Sequence, residues 1–593
     1  MTAETTSSAF PPDGVEANGI KASGAAAAAP SLGRRRLIFV MIALFSSMLL
    51  AALDQTIFGT ALPTIVGDLQ GVELMLWVTT AYILASTLVM PLYGKLGDLL
   101  GYKMLLLSAL GLFLVGSVLG GLAGDMTMLI AARGIQGVGG GGLMIMSQAI
   151  IADIVPARRR GQYMGVLLGA WSFASVLGPI LGGWFADSIG WRWAFWFNLP
   201  VGALAILLVA SFLKPPRRDR ARAVIDGWGM ASIAAFTTAI VLITSWGGTT
   251  YAWASGVILG LIGVALISGV LFVVAENRAA EPIVPLHLFR DRNFNLATIA
   301  GLFISLAFFG AIIYVPTYLQ MSSGMTATGS GLLLVPMSIG ILIASIGSGI
   351  LASRTGRYKW MPIAGSFIIA AGLVLLSTMR PATPLALISF YLFVLGSGVG
   401  LCVQILLLIV QNSFPITQVG TATGAHNFFK QIGSSLGSAM VGTLFTSRLI
   451  LLLTERLAAL GGAVPAEIGA DSLTPAVVAQ LPEQVKDVIV TSYSEALTPI
   501  YLYVAPLMIV GMVILSRVKE KPLALTNEVP RDPATSSQPT VSSGAMSTSG
   551  AMSTSGARDS NGTTDSGGSA AAGTPIVNSP AEDASSAEPI LPT

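Results

Sequence analysis

Long apolar stretches dominate the sequence, and their length limits the possible folds more than any other feature. A stretch of about 20 apolar residues can cross the hydrocarbon core of a bilayer as a helix. Backbone groups inside lipid must pair with one another, which leaves helices or a closed barrel, and runs this continuous lack the alternating pattern of a barrel. The sequence therefore predicts an all-α polytopic membrane protein with 14 transmembrane helices. The predicted spans are 37–60, 75–95, 103–122, 127–150, 163–186, 193–213, 227–246, 254–275, 295–319, 328–351, 360–379, 384–410, 424–446 and 496–516.

Composition narrows the class of function. Only 10% of the residues are charged, against roughly a quarter in soluble domains, and a net charge of +3 is too small to predict nucleic-acid binding. The single cysteine, Cys402, permits no disulfide within the chain, and one thiol with two histidines predicts no metal site. The sequence contains neither a Walker motif for a nucleotide nor a Ser/His/Asp set. We therefore expect neither an enzyme nor a cofactor, and an ion gradient would have to supply the energy for transport.

The distribution of Lys and Arg predicts the orientation in the membrane. If the N-terminus is inside, the inner loops and flanking segments hold most of the basic residues, from Arg34–Arg36 onward and with Lys430 among them. The opposite side then holds only Arg192, Arg380, Arg448, Arg456 and Lys486. Because loops on the cytoplasmic side carry an excess of Lys and Arg, both termini of this multi-pass cell-membrane protein are predicted to be cytoplasmic.

The segments between and beyond the spans suggest the domain organisation. Residues 1–36 and 517–593 are predicted to be disordered cytoplasmic tails, since they are rich in Ala, Ser, Gly, Thr and Pro and cannot bury a core. Two bundles of six helices are predicted at 37–213 and 294–516, the second with an outer loop at 447–495 that could hold a short amphipathic helix. Residues 214–293 would then be a two-helix insert between the bundles.

Two similar turns indicate that the bundles are repeats. The sequence GKLGDLLGYK follows the second span, and GILASRTGRYK follows the tenth. Aligned on their glycines, Gly94 matches Gly349 and Gly101 matches Gly356, while Asp98 matches Ser353. Repeats that meet around a site at the membrane midplane are common in secondary transporters.

Five motifs in the same order resemble those of the major facilitator superfamily. GKLGDLLGYK resembles the signature of its loop 2–3, RGIQGVGGG its fourth-helix motif, and GPILGG its fifth-helix antiporter motif. LDQTIFGTALPTI and WRWAFWFNLPVG resemble the first and sixth helices of its fourteen-span drug:proton antiporters of the EmrB/QacA type. The resemblance covers about residues 37–516. It implies the major facilitator fold, with two six-helix bundles that alternate access and two extra central helices.

The resemblance also assigns gating residues at the inner ends of the helices. They are Gly94, Lys95, Asp98, Gly101 and Lys103 in the first turn, and Arg354, Gly356 and Arg357 in the second. We expect Asp98, with Lys95 and Lys103, to form a clasp that closes the inner side; a solvated charged turn is the alternative. The chain departs from the family pattern because Ser353 replaces the acid in the second copy, and Leu99 and Tyr102 replace bases in the first.

Asp54 and Arg133 are the candidate proton- and substrate-binding residues. An Asp within a spanning helix costs about 2.5–3.5 kcal/mol near the bilayer centre and usually faces the bundle interior or a wet cavity. A carboxyl group balanced between burial and a nearby cation can hold either a proton or a cationic substrate. Gln136 shares a helix face with Arg133. The alternatives are that Asp54 caps a helix end and that Arg133 bonds backbone carbonyls.

The glycine-rich motifs allow two interpretations. Gly178, Pro179, Gly182 and Gly183, with the run after Gly137, could form a hinge or a tight seam between moving bundles. Small residues also permit simple close packing of helices in lipid. His426, a lone histidine at a helix start, is more typical of a structural residue.

These features predict a proton-coupled antiporter that exports lipophilic, often cationic, drugs or toxic compounds, with the bilayer as its only other partner. One alternative is a dedicated exporter of a natural product, siderophore or lipid that uses the same mechanism. A second alternative is a non-transporting membrane scaffold or sensor that uses the C-terminal tail.

Overall fold

The computed structural model describes residues 34–213, 226–248, 250–459, 478 and 481–523. Within these residues, fourteen helices are long and apolar enough to cross a membrane, and the one β-type contact described is an isolated bridge between Gly247 and Tyr251. The predicted all-α fold with 14 spans is therefore confirmed. Of the two predicted disordered tails, residues 1–33 and 524–593 lie outside the described residues. The prediction is wrong for 517–523, because this segment binds the second bundle, where Oη of Tyr358 donates to the carbonyl oxygen of Lys521 at 2.9 Å.

Seven helices form the six spans of the first bundle, because the sixth span is divided into two pieces. Helix α5 continues as a π-helix over Phe185–Ile189. The helices are α1 (Arg34–Asp68), α2 (Met75–Leu100), α3 (Tyr102–Gly121), α4 (Met126–Ile154), α5 (Ala157–Trp184), α6 (Trp193–Trp196) and α7 (Asn198–Phe212).

The insert and the second bundle follow. Two spans of the second bundle are interrupted, and each restarts at a helix with proline in its first turn, at α11 and α13; this is the favoured place for proline in a helix. The helices are α8 (Gly227–Trp246), α9 (Gly256–Arg278), α10 (Arg292–Ile312), α11 (Val315–Ser323), α12 (Ala327–Leu332), α13 (Val335–Thr355), α14 (Trp360–Ser377), α15 (Leu385–Gln411), α16 (Val419–Ala459) and α17 (Glu483–Ser516).

Several predicted boundaries differ from the observed ones because helices continue past the apolar stretches. Helix α1 begins at Arg34, so the basic triplet forms its first turn instead of belonging to the tail. Helix α16 runs on to Ala459 and α17 begins at Glu483, which shortens the predicted outer loop at both ends. The remainder of that loop, with any amphipathic helix it contains, lies mostly outside the described residues.

The repeat predicted from the two turns has a counterpart in the backbone. Gly101 and Gly356, which align with each other, both have positive φ, of 95° and 72°. This conformation strains residues with a side chain and is accessible to glycine. The two turns share this positive φ but differ in ψ, which is 137° at Gly101 and −4° at Gly356.

The two bundles meet at the ends of the helices that carry Arg34, Lys103 and Arg354, which we call the basic end. Helix α2 packs on α16 and α5 packs on α13. A Cβ atom on Gly94 would lie 2.5 Å from the carbonyl oxygen of Gly420, and one on Gly349 would lie 2.2 Å from that of Gly161. Both contacts therefore require glycine, and the aligned residues Gly94 and Gly349 each supply one of them.

Candidate functional site

A buried ion pair lies inside the first bundle. Asp54 on α1 accepts a charge-assisted hydrogen bond from Nη1 of Arg133 on α4. Each residue is only 1% exposed. Taking two charges out of water is costly, and only good geometry with further hydrogen bonds compensates that cost. The surroundings of the pair supply such bonds.

A polar network from four helices completes the coordination of Asp54. Gln136 donates from Nε2 to Oδ1 of Asp54 at 3.1 Å and to Oγ of Ser117 on α3 at 2.8 Å, while its own Oε1 accepts from Arg133 at 2.9 Å. Asn198 on α7 donates to Ser117 at 3.1 Å and to Asp54 at 3.5 Å. All five side chains are at least nine-tenths buried. The carboxylate of Asp54, which belongs to α1, is therefore held by side chains of α4 and α7. Ser117 on α3 links the amide groups of Gln136 and Asn198.

Two aromatic rings enclose the guanidinium of Arg133. Its Cζ atom lies 4.3 Å from the ring centroid of Phe58 and 4.5 Å from that of Tyr82. Cation–π contacts of this kind are worth about 2 kcal/mol or more when desolvated. They keep Arg133 in place beside Asp54 and exclude lipid and water from it.

The glycine run on α4 explains how the helices come close enough for this site. A Cβ atom on Gly137 would lie 2.5 Å from the carbonyl oxygen of Tyr82, and one on Gly139 would lie 2.6 Å from the backbone nitrogen of Phe113. Helices α2 and α3 therefore lie directly against the backbone of α4. Here the observed contacts correspond to close packing within one bundle.

The GPILGG segment of α5 packs mainly on α1, also within the first bundle. A Cβ atom on Gly178 would lie 2.1 Å from Oγ1 of Thr56, and one on Gly182 would lie 2.7 Å from the carbonyl oxygen of Ile57. Pro179 is the member of the segment that approaches the second bundle, where it faces Gly331, whereas Gly183 has open space beside it. The segment thus fixes the helix that carries Asp54.

The sequence predicted three members of the polar network and missed the others. Asp54, Arg133 and Gln136 come together as the candidate site, so Asp54 is not a helix cap and Arg133 does not bond backbone carbonyls within the described residues. Asn198 and Ser117 were not predicted. Asn198 is a polar residue inside the apolar motif WRWAFWFNLPVG, which was a usable signal, whereas a serine such as Ser117 is common in spanning helices.

Asp98 joins the two bundles at the basic end. Its carboxylate accepts from the backbone N–H groups of Gly420 at 3.0 Å and Thr421 at 2.7 Å, and from Oγ1 of Thr421 at 2.6 Å. Tyr102 donates to it at 2.5 Å. A carboxylate at a helix N-terminus pairs with N–H groups that have no partner inside the helix and with the positive end of the helix dipole. Asp98 therefore caps α16 from the other bundle.

Asp98, Lys95 and Lys103 each contact a different neighbour, and their joint role as a clasp stays a prediction. Lys95 pairs with Glu281 at 2.5 Å, and Lys103 donates to the carbonyl oxygen of Ala210 at 2.7 Å. Lys95 and Asp98 lie on α2, three residues apart, whereas Lys103 lies in the first turn of α3. The acid and the two bases thus join three different neighbours.

The second turn forms the corresponding contact with opposite charge. Arg158, near the start of α5, donates from Nε to the carbonyl oxygen of Ser353 at 3.0 Å and from Nη2 to that of Arg354 at 3.2 Å. These carbonyls belong to the last turn of α13, the negative end of its dipole. The side chain of Arg357 is exposed beside them. Arg158, which the motif comparison did not identify, therefore performs at α13 what Asp98 performs at α16.

A comparison with known protein families identifies the family that has this architecture. Residues 44–438 match the sequence profile described as the Major Facilitator Superfamily. The chain belongs to this superfamily. Members of the major facilitator superfamily are transporters rather than enzymes, so the protein is a multi-pass membrane transporter.

Curated relatives and a solved structure within the superfamily agree with this assignment. An uncharacterized MFS-type transporter of Mycobacterium tuberculosis (strain ATCC 25618 / H37Rv) is 44% identical over 491 residues, which are 83% of this chain and 70% of the relative. The multidrug transporter protein MdtP of Bacillus subtilis (strain 168) is 40% identical over 72% of this chain and 78% of the relative. The structure of the proton:xylose symporter XylE superposes with a TM-score of 0.53 at 15% identity, over 82% of this chain and 97% of that one. The last comparison concerns the fold alone and confirms the major facilitator architecture.

Proposed function

We propose that the protein is a proton-coupled antiporter that exports lipophilic small molecules across the cell membrane. The observation that carries the proposal is the enclosed Asp54–Arg133 ion pair. An ionisable residue at membrane depth marks an ion or substrate pathway by default. The similarity to a multidrug transporter supports export of varied compounds, among which the sequence predicted lipophilic cations.

Protonation of Asp54 would act as the switch. A proton on this carboxyl group removes the negative charge that balances Arg133, and breaking a buried pair in this way costs about 3–5 kcal/mol. The protein would then favour a conformation in which the guanidinium of Arg133 contacts water, a substrate or another hydrogen-bond acceptor. Since Asp54 and its partners lie on α1, α3, α4 and α7, the altered balance would move helices of the first bundle together.

The membrane gradient can supply energy of this size. One proton moving through 100 mV gains about 2.3 kcal/mol, so the electrical gradient and a pH difference together approach the cost of separating the pair. If the basic end faces the cytoplasm, as the positive-inside rule predicts, the contacts of Asp98 and Arg158 close the cytoplasmic side. Export would require these contacts to open for substrate entry and to reform afterwards.

The test is dye transport in inverted membrane vesicles with an imposed pH gradient and ethidium as the probe. Asp54→Asn should abolish gradient-driven transport while the protein still reaches the membrane. Asp68→Asn is the matched control, because Asp68 is an acid on the same helix whose side chain is 52% exposed and pairs with Arg192. The control should transport as the wild type does.

Two results would contradict the proposal in different ways. Normal gradient-driven transport by Asp54→Asn would show that the coupling acid lies elsewhere. If the wild type moves no ethidium but does move one natural product, siderophore or lipid in the same vesicles, the protein is a dedicated exporter and not a multidrug transporter.

A further inference from the structure

Lys430 carries a second charge at membrane depth, and the proposed transport mechanism does not use it. The sequence grouped it with the residues that flank the inner membrane surface, but α16 begins at Val419, so Lys430 lies three turns inside the helix, about 16 Å from its start. Among the described residues, no carboxylate forms an ion pair with its ammonium group. No hydrogen bond of the group is described either.

The surroundings of Lys430 indicate an internal space and not lipid. The residues one turn away on either side, His426, Asn427 and Ser434, are buried, yet Lys430 is only half-buried. A close-packed core would leave it no accessible surface. Lys430 therefore adjoins a space that water can reach.

Gln404 faces the same space from the neighbouring helix. Helices α15 and α16 run in opposite directions, and Gln411 on α15 donates to Thr423 on α16 at 3.1 Å. Seven residues make about two helical turns, so positions seven apart lie on the same helix face. Gln404 precedes Gln411 by seven residues on α15, and Lys430 follows Thr423 by seven on α16. Gln404 and Lys430 are therefore at the same level on facing sides of the two helices. Gln404 is only 4% exposed, and its Oε1 has no hydrogen-bond partner.

The contacts described between α16 and the first bundle reach the turn before Lys430. From the basic end along α16, Gly420 lies against Gly94, Gly424 against Met90, and Asn427 donates to Gln148 at 2.8 Å. Lys430 is one turn farther. It therefore lies just beyond the last of these α16 contacts, on the side of the interface opposite to the one where Ser175 of α5 still bonds Ser338 of α13.

A third polar group completes the arrangement. His426 lies one turn from Lys430 on the same helix face, 3% exposed, with Nδ1 3.4 Å from Oγ1 of Thr298 on α10. Gly301 makes room for its ring, since a Cβ atom there would lie 3.0 Å from Cε1. A cation, an amide and an imidazole thus lie close together, and no carboxylate of the described residues pairs with the cation.

We propose that Lys430, with the Nε2 group of Gln404 as a second donor, forms a binding site for an acidic group, such as a carboxylate or sulfonate, on a lipophilic substrate. The inference rests on the proposed transport function and names one substrate class for it. An unpaired cation away from water is costly, and an anionic ligand removes that cost by forming a charge-assisted hydrogen bond. The Asp54–Arg133 pair is neutral as a whole, so it does not oppose an anion.

The experiment measures binding by the purified full chain in detergent, without any pH gradient. The probes are dansyltaurine and dansylcholine, which share one fluorophore and carry a sulfonate or a trimethylammonium group, and energy transfer from tryptophan reports binding. Wild type should prefer dansyltaurine. Lys430→Gln should weaken dansyltaurine binding by at least about tenfold, as expected for loss of a charge-assisted hydrogen bond, and should leave dansylcholine binding unchanged or tighter.

Two further variants keep the outcome decisive. Lys430→Arg should retain the preference for the sulfonate, and Gln404→Leu should weaken dansyltaurine alone, by a smaller factor. Unchanged dansyltaurine binding in Lys430→Gln would overturn the proposal, as would an equal loss of both probes, which would show a structural role. If Lys430→Gln does not fold, unaltered binding by Gln404→Leu would count against the site. The assay is independent of proton coupling, so it can fail or succeed whatever Asp54→Asn shows.

Discussion

Replacing Asp98 by Asn should open the basic end of the transporter. Three of the four hydrogen bonds to this carboxylate come from Gly420 and Thr421 in the other bundle. Bonds to a charged group contribute about 1.5–3 kcal/mol against about 1 for neutral pairs, and a buried donor without a partner costs about 1–3 kcal/mol. An Asn side chain would keep one acceptor oxygen. Its NH₂ group, however, would face N–H or O–H groups of Gly420 and Thr421, which are donors themselves. The conformation closed at the basic end should therefore lose roughly 2–4 kcal/mol.

This loss predicts a measurable shift in population. Since 1.4 kcal/mol is a factor of ten, the ratio of closed to open molecules should fall by roughly 30- to 700-fold. Spin labels at Arg159→Cys and Thr355→Cys, exposed positions in different bundles at the basic end, would report the distance by pulsed electron resonance. The native Cys402 is fully buried and should remain unlabelled.

A second variant from the same helix provides the control. Lys95 pairs with Glu281, whose side chain is 39% exposed, and exposed pairs contribute about 0–1 kcal/mol. Lys95→Gln should therefore change the closed-to-open ratio by no more than about fivefold. If Asp98→Asn leaves the distance distribution unchanged, or if Lys95→Gln has as large an effect, the capping of α16 does not hold the bundles together.

Three more predictions concern packing and stability. Gly349→Leu should also favour the open basic end in the spin-label experiment, because its side chain would overlap the carbonyl oxygen of Gly161; an unchanged distance would show that the bundles can adjust. Asn198→Ala should lower the free energy of unfolding by about 1 kcal/mol through lost hydrogen bonds, visible as a lower midpoint of thermal unfolding in detergent, and an unchanged midpoint would place Asn198 outside the network. Removing all residues after Ser516 should lower that midpoint more than removing those after Leu523, because Glu520 accepts from the backbone nitrogens of Tyr358 and Lys359 at 2.5 and 3.1 Å; equal midpoints would contradict this.

The sequence was sufficient to predict the fold, and the reason is physical. Lipid forces each apolar stretch to be a helix, so the number of spans follows directly from hydrophobicity. Helix ends such as Ala459 of α16 were not predictable, because a helix can extend beyond the membrane on polar residues that hydrophobicity does not mark.

The candidate site was predictable in part. The cost of Asp54 and Arg133 in lipid indicated that each needed a partner, but their pairing depends on how α1 and α4 pack, which no local pattern contains. The partner of Lys95 was not predictable for a similar reason. Glu281 lies in the segment after α9, and its position at α2 depends on how the insert docks.

The two capping contacts at the basic end have a consequence for the comparison of related sequences. In each of them most of the bonding comes from the backbone of the other bundle, where Asp98 meets N–H groups and Arg158 meets carbonyl oxygens. A substitution at Ser353 or Arg354 cannot remove those carbonyls, so natural selection need not preserve the side chains there. Covariation between pairs of alignment columns should therefore be weak at both contacts, although they join the bundles directly. The serine in place of the motif's second acid therefore leaves the bond from Arg158 to the backbone intact.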